Sequence, residues 1–521
     1  MTDAFLGIDL GTSAVKALVV DADGNVRGTG SAEYPTLRPH PGWTEQDPDA
    51  WWEATSAAVQ QAVGWSGGAT IAGVGFSGQM HGAVFLGEHD RPLAPAVIWS
   101  DQRSVKQVDA ITAKVGPEHL IGIAGSPLAT GFMAATAVWM QEEQSSVWWR
   151  TKRILSPKDE LRRRVTGTAA TDPGDGSASL LFDARWRNWS PELLDAVETP
   201  SILLPPVKPA AAIAGEVTAE AAEALGLAVG TPVVTGTGDA PSSLLGAGIV
   251  DPATMLLSLS TGAQVIVPDE AFQPDLAGRT HAFCSGIEPG PGHPGWYQMG
   301  ATLVAGMALR WLRDEILQLP AAGAYERMTG AAAKAPIGAR GLLFLPYLIG
   351  ERSPHMDPRA RGAFLGLAPH HGQGDVVRAV MEGVTFACRD AFSALQDAGA
   401  HPERIVMAGG GSRSPFWRQM VADVFDLPVY GLSISDQSAV GAALLAFTGI
   451  RGLDPVETAQ RWARYAPPTE PNSARHGQYN EIYGLFREAY QPVIDISHRL
   501  GDWYAKSAGP RLVPRPIRKR G

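Results

Sequence analysis

The sequence predicts an α/β fold made of two similar halves around a cleft. Three observations lead to it: a strand–turn–strand unit at the N-terminus, a second such unit near the middle, and a long amphipathic segment followed by a strand and a glycine run.

The run Phe5-Leu6-Gly7-Ile8-Asp9-Leu10 reads as a strand and Gly11-Thr12-Ser13-Ala14 as a small-residue turn. Residues 15–20 form the partner strand, and Asp21-Ala22-Asp23-Gly24-Asn25 closes the unit. Residues 49–63, rich in Ala, Trp and Gln, read as a helix, and residues 71–77 as a buried strand entering a polar loop. In the middle, Leu256-Leu257-Ser258-Leu259-Ser260-Thr261-Gly262-Ala263 leads into the apolar run 264–267. Setting Leu10 on Leu259 aligns Thr12 with Thr261 and Ser13 with Gly262, which implies a duplication, with halves at 1–249 and 250–495. In the second half Val376, Val380, Val384, Cys388, Ala391 and Leu395 share one helical face. The strand 404–408 then runs into Gly409-Gly410-Gly411-Ser412-Arg413-Ser414-Pro415, where Ser414 is a good N-cap and Pro415 a good first helical residue. Residues 505–521, basic and Pro-rich, read as a disordered tail.

Composition narrows the function. The 521 residues are 45% hydrophobic and 18% charged, the profile of a soluble globular protein with room for large cores. Lys+Arg total 43 and Asp+Glu 53, a net charge of −10, which argues against nucleic acid or an anionic membrane as the main partner. Phosphate-bearing ligands remain compatible, because backbone amides and a metal ion can hold them. Cys284 and Cys388 lie far apart outside any CxxC pattern, so no disulfide framework or zinc site is expected, and a reducing, cytoplasmic setting fits. Neither a signal peptide nor a transmembrane segment is expected from the N-terminus or the apolar runs.

Several constellations could carry chemistry. Asp9 with Gly11-Thr12-Ser13 offers backbone amides and hydroxyls to phosphate oxygens and a carboxylate for Mg²⁺, with Lys16 in reach of either. The same residues also fit a tight hairpin turn with a solvated Asp9. Gly236-Thr237-Gly238-Asp239-Ala240-Pro241-Ser242 follows an apolar strand and opens a helix. Asp239 there is either a helix cap or a carboxylate kept ionised by the helix dipole to accept a proton from a hydroxyl. Gly409, Gly410 and Gly411 allow a ring or phosphate to approach the backbone, or simply make a flexible loop. Gln79-Met80-His81-Gly82 and Trp99-Ser100-Asp101-Gln102-Arg103 place polar groups at strand ends, where small ligands often bind. A Trp face beside a carboxylate and a guanidinium suits a polyhydroxylated ligand, whereas singly His81 reads as structural and Asp101–Arg103 as a local ion pair.

Together these motifs resemble the FGGY carbohydrate kinases of the actin/sugar-kinase/Hsp70 superfamily, and within them the xylulokinase branch. The resemblance rests on residues 7–13, Trp43-Thr44-Glu45-Gln46-Asp47-Pro48, residues 79–82 and residues 99–103. It continues through Pro157-Lys158-Asp159, Leu345-Pro346-Tyr347-Leu348, Gly350-Glu351-Arg352-Ser353-Pro354, residues 362–367 and residues 409–417, and so covers roughly 6–486. It implies two RNase H-like domains around a cleft and transfer of phosphate from ATP to the terminal hydroxyl of a pentulose such as D-xylulose. Asp239 is then the general base and Asp9 holds Mg²⁺ through water. Gly11, Thr12, Ser13, Lys16, Thr261, Gly262, Gly409, Gly410, Gly411 and Ser414 bind ATP. Met80, His81, Gly82, Trp99, Asp101 and Arg103 face the sugar. A homodimer is also implied.

Two departures stand out. Ala240 occupies a position where xylulokinases carry Asn, which bears on which sugar fits. The second turn, Ser260-Thr261-Gly262-Ala263, keeps the family's Thr with displaced glycines. The rival readings are a kinase for ribulose, another pentulose, glycerol or a sugar alcohol, a non-catalytic sugar- or nucleotide-binding homologue, and an Hsp70/actin-like ATPase. Having both Asp9 and Asp239 argues against a pure binder.

Overall fold

Uninterrupted apolar runs mark strands covered on both faces. In the strand Asp3–Leu10 every residue but Asp3 and Asp9 is buried. The structure, a computed structural model, describes residues 3–432 and 436–508. Asp3–Leu10 pairs antiparallel with Ala14–Asp21, which pairs antiparallel with Val26–Glu33. On its other side Asp3–Leu10 pairs parallel with Thr70–Gly78, and this strand pairs parallel with Pro232–Val234 and Thr237–Gly238.

The second sheet repeats this order. Thr254–Leu259 pairs antiparallel with Ala263–Asp269, which pairs antiparallel with Trp296–Thr302. Thr254–Leu259 also pairs parallel with Arg404–Ala408, and Arg404–Ala408 parallel with Val429–Gly431. The alignment of Leu10 with Leu259 therefore corresponds to equivalent strand ends in two sheets of the same topology.

Helix Pro48–Gly64 covers one face of the first sheet, and helix Gln373–Asp397 lies on the second. The other face of the first sheet is covered from far along the chain. Helix Gln437–Arg451 packs on Asp3–Leu10 and Thr70–Gly78. The approach is close enough that a Cβ on Gly7 would lie 1.9 Å from the Ala439 carbonyl, and one on Gly75 1.9 Å from that of Ala442. The 250–495 segment thus contributes a covering layer to the first half. Conversely, helix Asp239–Gly246 of the first half crosses Gln437–Arg451, and its Ala240 and Leu244 share a core with Leu256, Ile266 and Val406 of the second sheet.

The predicted helices and strands form at the expected places. Ser414 caps the helix Pro415–Phe425, its Oγ accepting from Trp417 N at 3.2 Å. The last helix, Ser473–Ala508, extends into the stretch read as a disordered tail, so residues 505–508 are helical; residues 509–521 lie outside the described residues. Among the described residues no helix is long and apolar enough to cross a membrane.

Candidate active site

The two sheets bring their first hairpin turns to one opening, and the crossing helices aim their N-termini at it. Here a cavity of about 270 Å³ is lined by Asp9, Lys16, Asp239, Ala240, Gly409 and Asp436, among others. Ser243, Gln437 and Ser438 also line it, so the first turns of helices Asp239–Gly246 and Gln437–Arg451 form part of its wall. Unpaired amides and the dipole at such ends favour an anionic ligand.

Asp9 is the penultimate residue of the first strand, opposite Lys16 on one neighbour and Ser77 on the other. Its Oδ1 is buried with no hydrogen-bond partner among the described residues. Burial pushes its pKa up to about 6, against the pull of Ser77 and Lys16, while Asp436 raises it further. Lys16 forms an ion pair with Asp436 across the opening. Asp239 is the first residue of its helix, after Gly238. Burial, followed by the charge of Asp9, pushes its pKa up to about 7, although the amides of Asp239 and Ala240 pull it down. The expectation that the helix dipole keeps Asp239 ionised therefore needs correction, because desolvation outweighs the dipole. A carboxyl poised near neutrality suits proton transfer.

The first turn is braced from behind. Gln46 Nε2 donates to Thr12 O at 2.7 Å, and Gln79 Nε2 donates to Gln46 Oε1 at 2.7 Å. Trp99 Nε1 donates to Thr12 Oγ1 at 3.0 Å, joining a predicted sugar-side residue to the predicted phosphate turn. Asp239 is steadied by a buried charge cluster. Lys158, fully buried, reaches Asp159 at 2.8 Å, Asp172 at 3.1 Å and Asp175 at 3.3 Å, and donates to Thr235 O at 3.2 Å. Asp172 in turn accepts from Thr237 Oγ1 at 2.5 Å, two residues before Asp239.

His81 has φ 73° and stacks on Phe132, with ring centroids 3.9 Å apart. Its Nδ1 donates to Ala178 O at 2.8 Å. Burial lowers its pKa to about 4, so the ring is neutral and Nε2 carries a lone pair. Met80 is buried, against the Tyr297 hydroxyl at 3.8 Å and beside Gly238.

Some nominated residues turn out differently. The Asp101 carboxylate, expected to face the sugar, is engaged within the protein. It accepts from Thr44 N at 2.6 Å and from Arg103 N, Nε and a terminal nitrogen at 2.8–2.9 Å. The Arg103 side chain is 2% exposed, bridges to Glu45 at 2.8 Å and lies 3.9 Å over the Trp43 ring, so the two side chains form a buried clamp. Gly82 packs against Val97 O, where a Cβ would come within 2.9 Å. The Ser414 hydroxyl is engaged in capping. From the second turn, Ser258, Ser260 and Gln264 line the cavity rather than Thr261 and Gly262, and from the glycine run Gly409 does so rather than Gly410 or Gly411. Gly11, Thr12 and Ser13 flank the opening without lining it. Asp436, Gln437 and Ser438 went unnoticed in the sequence, where the only signal is a short polar stretch ahead of an Ala-rich helix.

Comparison with known proteins agrees with this geometry. The N-terminal domain of the FGGY family of carbohydrate kinases matches residues 4–246, and its C-terminal domain residues 255–450. A xylulose kinase of Lactococcus lactis subsp. lactis is 34% identical over 503 residues, 95% of this chain and 98% of the relative. The crystal structure of a xyloylose kinase from Brucella ovis superposes with a TM-score of 0.88 at 33% identity, covering 95% of this chain and all of that one. That of a xylulose kinase from Rhodospirillum rubrum gives 0.87 at 28% identity, with 95% of this chain and 100% of that chain covered.

Proposed function

The chain belongs to the FGGY family of carbohydrate kinases, and on that premise we propose that it transfers the γ-phosphoryl group of ATP to the terminal primary hydroxyl of D-xylulose, giving D-xylulose 5-phosphate and ADP. The observation that carries the reading is Asp239, a carboxyl poised near neutrality in a cavity that two helix N-termini and Lys16 prepare for phosphate. The relatives named as xylulose kinases support the choice of sugar.

The sugar hydroxyl attacks the γ-phosphorus in line, forming the new O–P bond as the bond to the β-phosphate oxygen breaks. Asp239 takes the hydroxyl proton. Lys16, Ser260 and the first-turn amides of helix Gln437–Arg451, all on the cavity wall, stabilise the charge on the transferring group. Among the described residues no three acidic or imidazole groups converge to hold a metal directly, but Asp9 Oδ1 lies at the cavity buried without a partner, which fits a carboxylate that holds a divalent cation through water. Asp9 and Asp436 would hold it through water. Bound Mg²⁺ supplies charge neutralisation to the phosphates.

A second reading, a kinase for another ketose or polyol, is favoured by Ala240. This residue lines the cavity with a methyl group, which can form no hydrogen bond to a substrate hydroxyl. ADP release from MgATP across pentuloses, hexuloses, alditols and aldoses decides between them. Stimulation greatest with D-xylulose supports the first reading, and stimulation greatest with another sugar the second. No stimulation by any of them overturns both.

A further inference from the structure

Arg352, from the second half of the chain, sets its guanidinium beside the Trp99 ring of the first. Its backbone is pinned: Arg352 N donates to Glu351 Oε1 at 2.7 Å, and Ser353 N donates to Ala301 O at 2.9 Å. Its guanidinium, by contrast, makes no hydrogen bond or ion pair among the described residues. Its one aromatic contact is with the Trp99 ring, whose centroid is 5.8 Å from Cζ. The charge of the adjacent Glu351 favours the charged guanidinium, but the carboxyl forms no ion pair with it among the described residues. That carboxyl accepts from Leu303 N at 2.8 Å, and burial pushes its pKa up to about 8.

The neighbouring groups are acceptors. His81 and His281 flank the Phe283 ring, each with its centroid 5.6 Å from that of the phenyl. His281 Nδ1 lies 2.7 Å from Ser126 Oγ, whose hydroxyl donates to Pro127 O at 3.0 Å; Nδ1–H therefore donates to Oγ. This leaves His281 Nε2 as a lone pair, buried and without a partner among the described residues, and the bond from Nδ1 to Ala178 O likewise leaves the lone pair of His81 on Nε2. Burial and then the charge of Arg352 keep His281 neutral, with a pKa of about 3. A guanidinium offers donors only, and a neutral imidazole nitrogen with a lone pair only accepts. The wall thus sorts a ligand's oxygens. Hydroxyls find acceptors at the imidazoles. An oxygen that only accepts, with two in-plane lone pairs, finds the planar fork of Arg352.

We propose that Arg352 is a substrate-binding residue whose guanidinium donates to the carbonyl oxygen of an open-chain ketose lying along Trp99 and His81, so that it selects ketoses over the corresponding alditols. This rests on the ketose-kinase reading above. It also means that the sugar bridges the two halves of the chain, since Trp99 and His81 come from the first and Arg352 from the second.

The test is steady-state kinetics with D-xylulose and xylitol, which lacks the carbonyl, on wild type, Arg352→Gln and Arg352→Lys, with melting temperature and ADP binding as checks of the fold. Loss of a charge-assisted hydrogen bond should lower kcat/KM for D-xylulose about 10- to 100-fold in Arg352→Gln, mostly through KM, and leave xylitol within about threefold. Arg352→Lys, which keeps the charge but not the fork, should fall between and serves if the Gln variant is poorly folded. Equal losses for both substrates, or no loss for either, would overturn the assignment while leaving the kinase reading intact. A wild-type enzyme active on alditols but on no ketose would overturn both.

Discussion

Asp239→Asn should make the protein more stable and nearly inactive at once. The substitution keeps the shape of the side chain and removes its charge. Raising a carboxyl from 3.8 to about 7 corresponds to about 4 kcal/mol acting against the folded state once the group ionises. Asp239 is open to cleft water, which screens it, so about 1–2 kcal/mol is the expected gain from neutralisation. A carboxyl whose folded pKa is raised contributes stability below its unfolded pKa and loses it as pH rises through the folded one. The gain of the Asn variant should therefore be full at pH 8, smaller at pH 5 and absent below 3.8. Differential scanning calorimetry should show a rise in Tm of about 2–5 °C at pH 8. Turnover should drop by about two to four orders of magnitude with ATP binding nearly unchanged. A variant that keeps near-normal turnover would refute the base assignment. A variant that melts lower than wild type at pH 8, or whose gain does not shrink on acidification, would refute the electrostatic account.

The same electrostatics set the pH profile: kcat/KM for the sugar should fall with unit slope below about pH 7, a loss of about tenfold from pH 8 to pH 6. Asp9→Asn should move that limb to lower pH, since the Asp9 charge raises the pKa of Asp239; a flat profile between pH 6 and 8 would contradict this. Trp99→Phe removes the bond to Thr12 Oγ1, so KM for ATP should rise about 2- to 10-fold, measured at saturating sugar, whereas an unchanged KM would sever the link between the sugar wall and the phosphate turn. Lys158→Met strands three buried carboxylates and should cost about 3–5 kcal/mol in urea unfolding. A loss under about 1 kcal/mol would mean that the cluster is protonated or reached by water.

Much of this was legible in the chain itself because it depends on neighbours in sequence. The strand Asp3–Leu10 follows from a continuous apolar run, the cap at Ser414 from Ser-Pro before a helical pattern, and the duplicated hairpins from matching residues about Leu10 and Leu259. Asp239 was visible as a carboxylate at the start of a helix after a glycine turn. Long-range packing decided the rest. No local signal says that helix Gln437–Arg451 returns to cover the first sheet and brings Asp436 opposite Lys16. Asp101 and Arg103 look like ligand-binding groups in sequence, and only the closure of Trp43, Thr44 and Glu45 around them turns them into a clamp. The protonation of Asp239 depends on how much water the second half of the chain excludes and on the charge of Asp9, neither of which is a property of the residues beside it. Sequence thus determined the elements and the chemical groups they carry, because backbone propensity and capping are local. Tertiary structure decided which groups meet and in what charge state, because burial and Coulomb interaction depend on distance in space.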